Sequence, residues 1–283
     1  MDLQRETVVG LLHPGEMGAA VGECLTAAGH TVLWASEGRS DQTAERAGAA
    51  QLTDAATPRQ VAAETDVIIS VCPPHAALDV AWAVRGFTGV YLDANAISPG
   101  TAGEVARLIE GNGGRYVDGG IIGPPPRRAG TTRLYLSGAD AQEVRKLFGE
   151  TVLEARITTG PRTAASGIKM AYAAWTKGTA ALLLAARALG QAEGVEAALL
   201  AEWAVSQPHL AEQSLQAARS GATKGWRWVA EMEEIAQSMT TAGLPDGFHQ
   251  AAAEVFRRCP PLADAACDPH LTATVLRTLV GSE

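Results

Sequence analysis

Apolar positions in the first half of the chain come in short continuous runs, separated by stretches of helical periodicity. Thr7 to Leu12 is one such run, bounded by turn residues, and it reads as a strand buried on both faces. Met17 to Ala28 then carries apolar residues at helical spacing, with Gly29 placed to end the helix. Thr31–Ala35, Asp66–Cys72, Val90–Ala94 and Arg115–Val117 repeat the strand pattern, the second of them stopped by Pro73-Pro74. Helical stretches fall between them, near Ala44–Ala49, Pro58–Glu64, Ala76–Val84 and Thr101–Gly111. This alternation predicts a parallel sheet with helical crossovers. Arg133–Ser137 and Glu154–Thr158 extend the sheet.

The pattern changes near Gly160. From Ala164 to about Leu189 the chain is rich in alanine and leucine and has no proline. It reads as one long helix, apolar nearly all round, which a second domain or a second subunit must bury. The remaining segments are helical: Glu196–Ala204, His209–Ala218, Trp228–Ala242, Gly247–Cys259 and Leu271–Val280. The expected fold is therefore a Rossmann-type doubly wound α/β domain over residues 1–160. A long interdomain helix and an all-α domain follow over 161–283.

Composition narrows the function classes. A net charge of -8 argues against broad binding to nucleic acid or anionic membranes. No apolar run reaches the ~18 residues of a membrane span. The N-terminus has neither a basic start nor a cleavage site, so the expected location is the cytoplasm. The four cysteines lack metal-ligand spacing. Cys259 and Cys267 are close enough in sequence to pair, but reduced thiols are expected in a cytoplasm. His209, His249 and His270 lie on separate helices, and no metal site is expected.

The first strand runs into His13-Pro14-Gly15-Glu16-Met17-Gly18, which opens a helix. Gly15 lets the backbone approach a diphosphate, Gly18 lets the helix pack on the strand, and the free N–H groups of the helix start face the phosphates. The first glycine of G-x-G-x-x-G is absent, and His13 stands there. The context of strand, turn, helix and second strand favours a dinucleotide site over a plain tight turn. After the second strand comes Ser36-Glu37-Gly38-Arg39-Ser40. Arg39 with Ser36 and Ser40 suits a ribose 2′-phosphate, whereas Glu37 suits a ribose diol. The run favours NADP(H), with NAD(H) as the alternative.

Several runs together carry a family resemblance: Gly15-Glu16-Met17-Gly18, Gly29-His30, Ser70-Val71-Cys72-Pro73-Pro74, Asp93-Ala94-Asn95-Ala96-Ile97-Ser98-Pro99, Val117-Asp118-Gly119-Gly120-Ile121-Ile122-Gly123 and Gly167-Ile168-Lys169-Met170. On these the chain resembles the β-hydroxyacid dehydrogenase superfamily, which includes 6-phosphogluconate and 3-hydroxyisobutyrate dehydrogenases. It is most similar to a bacterial 6-phosphogluconate dehydrogenase-like branch with a distinct C-terminal domain. The resemblance implies a homodimer with intertwined C-terminal helices. It implies that Val71, Cys72, Pro73 and Pro74 lie along the cofactor, that Asn95 lies near the nicotinamide, and that Lys169 is the general acid/base. The chain also departs from the family. Ile122 stands where the family has a serine that holds a substrate carboxylate, and Ala173 stands where it has an asparagine. Both changes remove polar contacts, and an apolar pocket rejects an unpaired carboxylate. Imine reductases share this scaffold, so imine reduction is the second enzymatic expectation.

Hydride transfer from a nicotinamide leaves the protein to orient the substrate, move one proton and exclude water. Lys169 is expected in that role on its otherwise apolar helix. Tyr172 lies three residues on, on a similar face, as a donor to the substrate oxygen. Asp118 sits at a strand end, where ligands collect in such sheets. Lys177 reads as a dimer-surface residue or second cation. Trp226, Trp228 and Met232 read as C-terminal core, or as the lining of the substrate pocket. Glu231, Glu233 and Glu234 read as an acidic helix start, with Glu234 a candidate for holding a cationic substrate. A nicotinamide-binding sensor without turnover, and a methyltransferase on a Rossmann fold, are the competing readings.

Overall fold

The computed structural model describes residues 7–262 and 270–281. Cys267, considered above as a possible partner of Cys259, lies outside these residues. The chain divides into two compact units, between Met170 and Ala171.

The first unit alternates strand and helix as the apolar pattern requires. Its elements are β1 (Val8–Leu12), α1 (Glu16–Ala27), β2 (Thr31–Trp34), α2 (Asp41–Ala49), β3 (Thr53–Asp54), α3 (Pro58–Glu64) and β4 (Val67–Ser70). They continue with α4 (Ala77–Ala83), β5 (Val90–Asp93), α5 (Pro99–Gly111), β6 (Arg115–Ile122), β7 (Arg133–Ser137), α6 (Ala141–Lys146) and β8 (Glu154–Ile157). The strands form one sheet in the order β3-β2-β1-β4-β5-β6-β7-β8. All neighbours are parallel except β6 and β7. Strand order reverses direction between β1 and β4, the switch point at which sheets of this kind bind ligands beyond their carboxyl ends.

Each face of the sheet has its own core. Val9, Leu11, Val32, Trp34, Val67, Ile69 and Leu92 point to one side, against Val21 and Leu25 of α1. Ile68, Tyr91 and Tyr116 point to the other, against Val61 of α3, Val80 of α4 and Val105 of α5. Burial of one such aliphatic side chain contributes about 1.5–3 kcal/mol. The helices start where the sequence supplies caps: Ser40, Thr57 and Ser98 accept from the backbone N–H three residues on, starting α2, α3 and α5.

The outer strands are short or charged. β3 has only two residues, and β8 carries Glu154 and Arg156, paired at 2.7 Å and exposed.

α7 (Ala164–Ala192) is a single helix of 29 residues. Its first turns belong to the first unit. Asp118 accepts from Ser166 N–H at 2.8 Å, from Ser166 Oγ at 2.5 Å and from Ser137 Oγ at 2.9 Å. Gly120 makes room beside them, since a Cβ there would lie 2.6 Å from the Ala165 carbonyl oxygen. These contacts carry the first unit past Gly160, where the composition changes, to Met170.

The second unit holds the rest of α7 with α8 (Glu196–Ser206), α9 (Leu210–Thr241), α10 (Gly247–Arg258) and α11 (Leu271–Val280). α9 is one helix of 32 residues, where two were expected. Gly221 and Gly225 interrupt its apolar periodicity, and there Phe256 and Cys259, at the end of α10, pack against it. A Cβ on Gly221 would lie 3.0 Å from Cys259 Sγ. Several expectations change here. Trp226 is 62% exposed rather than core, whereas Met232 is fully buried. Trp228 is half-buried and meets Phe256 edge-on, with ring centroids 5.0 Å apart. Glu231, Glu233 and Glu234 lie in the later part of α9, not at a helix start. Lys177 is half-buried within the second unit: its ammonium pairs with the Glu231 carboxylate and lies 5.3 Å from the Trp228 ring centre.

Candidate functional site

β1 ends at Leu12, and the chain turns within three residues into α1. His13 takes φ +68°, a left-handed conformation rare for a side chain with a Cβ. That twist lets its carbonyl accept from Gly15 N–H at 2.8 Å. The carbonyl then tucks beneath α1, because a Cβ on Gly18 would lie 2.3 Å from it. Gly18 is thus required by the close approach of turn and helix. Gly15 is not required by any packing in the chain, since a Cβ there would meet nothing within 4 Å. Its surroundings are open at the N-terminus of α1, where a diphosphate would need room.

Two polar atoms near this turn lack partners. His13 Nδ1 and Arg39 Nε are buried without a hydrogen bond. Burial, reinforced by the Arg39 charge, pushes the His13 imidazole down to about 4, so it is neutral near pH 7. The Arg39 charge also lowers the Cys72 pKa against burial, so it is felt just beyond the ends of both β1 and β4. Burial lowers the Arg39 pKa and marks its partial removal from water. Glu37, by contrast, is exposed. Ser40 caps α2, accepting from Thr43 N–H at 3.3 Å, and Ser36 is half-buried with its carbonyl accepting from Arg39 N–H at 3.0 Å. Val71 is half-buried, Cys72 and Pro74 are buried, and Pro73 is exposed, so this run skirts the same sheet edge. Pro14 is buried, Glu16 exposed and Met17 packed against the core under α1.

These residues fit a dinucleotide. The glycine with open space beside it, the helix N-terminus, the neutral imidazole and the half-buried guanidinium form an anion-compatible cradle at the switch point.

Asn95 lies two residues beyond the end of β5. It is 2% exposed, and its Oδ1 accepts from Cys72 N–H at 2.6 Å. Its Nδ2 donates to Ser70 Oγ at 3.1 Å, and its own N–H donates to Asp93 Oδ1 at 3.1 Å. Asn95 therefore ties the end of β5 to the end of β4. Asp118 is 0% exposed, and its two oxygens are taken by Ser137 and Ser166. Burial raises its pKa, and its hydrogen bonds to Ser166 anchor the start of α7. Sequence reasoning overlooked Asp93, a 1% exposed carboxylate ending β5. Burial pushes it up to about 7, against the Asn95 N–H that holds it down and with Asp118 on the next strand adding to the rise. The signal available was an aspartate closing an otherwise apolar strand.

Lys169 lies on α7 above β6. Its Nζ donates to the Ile121 carbonyl at 2.8 Å, and its Cβ would be 3.2 Å from a Cβ on Gly120. Asp118 is level with Asp93 in the sheet register, and Ile121 lies three residues further on. The lysine is thus fastened to β6 about 10 Å beyond the carboxyl end of β5. Tyr172 follows in the second unit and is 48% exposed. Ile122 and Ala173 are buried at 4% and 1%, so both apolar departures from the family are internal.

Among the described residues no group of three or more histidines, cysteines or acids is placed to hold a metal ion. None of the described helices is long and apolar enough to cross a membrane.

The sheet order, the switch-point turn and the helical second unit define a class: NAD(P)-dependent dehydrogenases and reductases of the Rossmann type. More narrowly, the chain belongs to the family of the NAD binding domain of 6-phosphogluconate dehydrogenase, whose model matches residues 7–155. A domain of unknown function, DUF1932, matches residues 191–259. An uncharacterized 28.5 kDa protein from the 7S RNA 5′ region of Methanothermus fervidus is 30% identical over 151 residues, which is 52% of this chain and 57% of that protein. The chain thus matches little more than half the length of this curated relative. Among solved structures, the conserved protein MTH1747, described as similar to 3-hydroxyacid dehydrogenases, is 27% identical with a TM-score of 0.63, covering 97% of this chain and 96% of that one. Mycobacterium tuberculosis 3-hydroxyisobutyrate dehydrogenase with L-serine shares the fold at 19% identity and a TM-score of 0.68, over 95% and 99% of the two chains. An Aspergillus terreus reductive aminase in complex with NADPH and ethyl levulinate shares it at 21% identity and a TM-score of 0.56, over 89% and 93%.

Proposed function

We propose that this chain transfers a hydride between NADP(H) and a small carbonyl or alcohol substrate, with Lys169 as general acid/base. The bound nicotinamide supplies the hydride chemistry. The backbone at Pro14–Met17 and the residues Ser36, Arg39, Ser40 and Val71–Pro74 hold the dinucleotide, Arg39 giving the preference for a 2′-phosphate over the diol that Glu37 would bind. Lys169 protonates the substrate oxygen as it gains charge, or removes its proton in the reverse direction.

The observation that carries this reading is the fastening of Lys169 Nζ to Ile121 at 2.8 Å. It orients the only lysine in the first turns of α7 beyond the carboxyl ends of the central strands. Lys169→Met should lower kcat at least about 100-fold while leaving NADPH affinity unchanged. A variant that keeps full turnover of carbonyl substrates rules out the lysine mechanism.

A second reading is imine reduction. Ile122 and Ala173 favour it, because both are buried and apolar where carboxylate contacts would be needed. Asp118 is spent on α7, so Tyr172 is the proton donor in that case. Rates on matched ketones, 3-hydroxycarboxylates and cyclic imines separate the two. Cofactor binding without turnover across that panel favours a sensor instead.

The second unit supports a homodimer. Trp175, Leu182, Leu189 and Val205 are 74%, 62% or otherwise more than half exposed on its helices, and a second copy would cover them. Light scattering at twice 29.4 kDa is the expected result. The cytoplasm is the compartment in which we expect it to act.

A further inference from the structure

Asp93 is part of a buried polar group on the α5 face of the sheet. Register puts Ser70, Asp93 and Asp118 side by side on three adjacent strands, with Tyr91 and Tyr116 paired two residues earlier on β5 and β6. Asp93 Oδ2, the Tyr91 hydroxyl and the Tyr116 hydroxyl are all buried outside any well-formed hydrogen bond, the Tyr116 hydroxyl lying near enough to Asp93 to hold its pKa down and Ser70 doing the same for Tyr91. Asp93 Oδ1 accepts from Asn95 N–H, and the Asn95 carboxamide holds Cys72 N–H at 2.6 Å. One unbroken chain of contacts thus runs from an unsatisfied carboxyl oxygen to the backbone at the end of β4.

The polar and titratable groups around Asp93 come from its own strand and the strands on either side. Cys72 and Ser70 face it from β4, Tyr91 from its own strand, and Tyr116 and Asp118 from β6. Arg162, ahead of α7, lies with its guanidinium 5.8 Å from the Tyr116 ring centre, but it is exposed and paired with Glu110 at 2.6 Å. No buried cation among these groups compensates a second carboxylate beside Asp118. Ionisation of Asp93 therefore adds an unneutralised charge under the strand ends, next to a site that must accept an anionic dinucleotide.

We propose that Asp93 is a positioning residue for the dinucleotide: it acts through Asn95 on the Cys72 backbone, and its proton must be retained for tight binding. This rests on the reading that the dinucleotide lies along Val71–Pro74. Its elevation to about 7 brings the exchange of that proton into the neutral range. The neutral form leaves the site less negative, so dinucleotide affinity falls as pH rises through that range, and by linkage the bound dinucleotide raises the Asp93 pKa further.

The test is NADPH titration by its own fluorescence between pH 6 and pH 8, for the wild type, Asp93→Asn and Asn95→Ala, with thermal melts of each protein without cofactor. Titration of NADPH itself is common to all three and cancels in the ratio of dissociation constants. The wild-type Kd should rise about fivefold or more relative to Asp93→Asn over this range. Asn95→Ala should show a smaller excess than the wild type, since only the direct effect of the Asp93 charge remains once the carboxamide relay to Cys72 is gone, while its cofactor-free melting temperature still falls with pH, since Asp93 still titrates. A constant ratio between wild type and Asp93→Asn overturns the inference, even if both bind well. Absence of NADPH binding at every pH overturns the dinucleotide reading itself, and the inference with it.

Discussion

Gly15 and Gly18 stand three residues apart in one turn, yet the structure asks different things of them. A methyl group on Gly18 would sit 2.3 Å from the His13 carbonyl oxygen, 3.3 Å from its carbonyl carbon and 3.6 Å from Val71 Cβ. The nearest of these is backbone, so the turn must withdraw until the contact exceeds 3.0 Å. Forcing a methyl group into packed structure costs about 1–3 kcal/mol. For a unit of this size each kcal/mol lowers Tm by roughly 2–4 °C. Gly18→Ala should therefore melt several degrees early and bind NADPH poorly, both from one displaced carbonyl. A methyl group on Gly15 meets nothing within 4 Å, and its φ of -68° suits alanine. Gly15→Ala should lose no more than about 1 kcal/mol, the margin by which glycine exceeds alanine as an N-cap. The same methyl group stands where the diphosphate must approach the helix N-terminus. NADPH affinity should fall at least about tenfold, equivalent to 1.4 kcal/mol. Differential scanning calorimetry without cofactor and fluorescence titration with NADPH measure the two quantities separately. If Gly15→Ala binds NADPH as the wild type does, the turn does not cradle a diphosphate.

Two further expectations concern protonation. His13 is held near 4 in the folded chain against an ordinary 6.5, so the unfolded chain binds the extra proton first as pH falls. Stability is lost between pH 6.5 and 4, by at most about 3 kcal/mol and less after solvent screening at its exposed edge. His13→Asn, which tolerates the left-handed backbone, should lack this loss in denaturant melts across that range; equal acid sensitivity of both proteins refutes it. Asp93 works in the opposite sense, its contribution declining as pH rises from about 4 to 7, so the two are resolved only in single variants. The thiols of Cys72 and Cys259 are pushed up to about 12 and 11 by burial. Both should resist iodoacetamide at pH 8 until denaturant is added, as peptide mass spectrometry would show; rapid native labelling of either contradicts its burial.

Much of the first unit was readable because buried parallel strands and amphipathic crossovers leave unambiguous periods. Pro58–Glu64 and Arg133–Ser137 match the observed elements end to end. β6 was read only to Val117, because Gly119 and Gly120 interrupt the run, yet the strand continues to Ile122. Those glycines serve the third dimension: Gly120 seats α7, a contact no local pattern contains. The two-residue β3 and the six-residue α6 were too short to show a period. At the site, the turn and Arg39 were legible from type and position. The roles of Asn95 and Asp118 were not, since a polar residue at a strand end looks alike whether it faces a ligand or a neighbouring strand. Only the hydrogen bonds to Cys72 and Ser166 distinguish them.

The sheet's outermost strands bear on how the protein survives at high concentration. An unpaired strand edge is a template on which another chain can add itself. At one margin β3 offers only Thr53 and Asp54, too little backbone for a stranger to align with. At the other, the Glu154–Arg156 pair on β8 confronts an incoming strand with fixed charges that it would have to desolvate. Replacing that pair with valine and isoleucine would leave the interior untouched and turn the margin into a nucleus for aggregation.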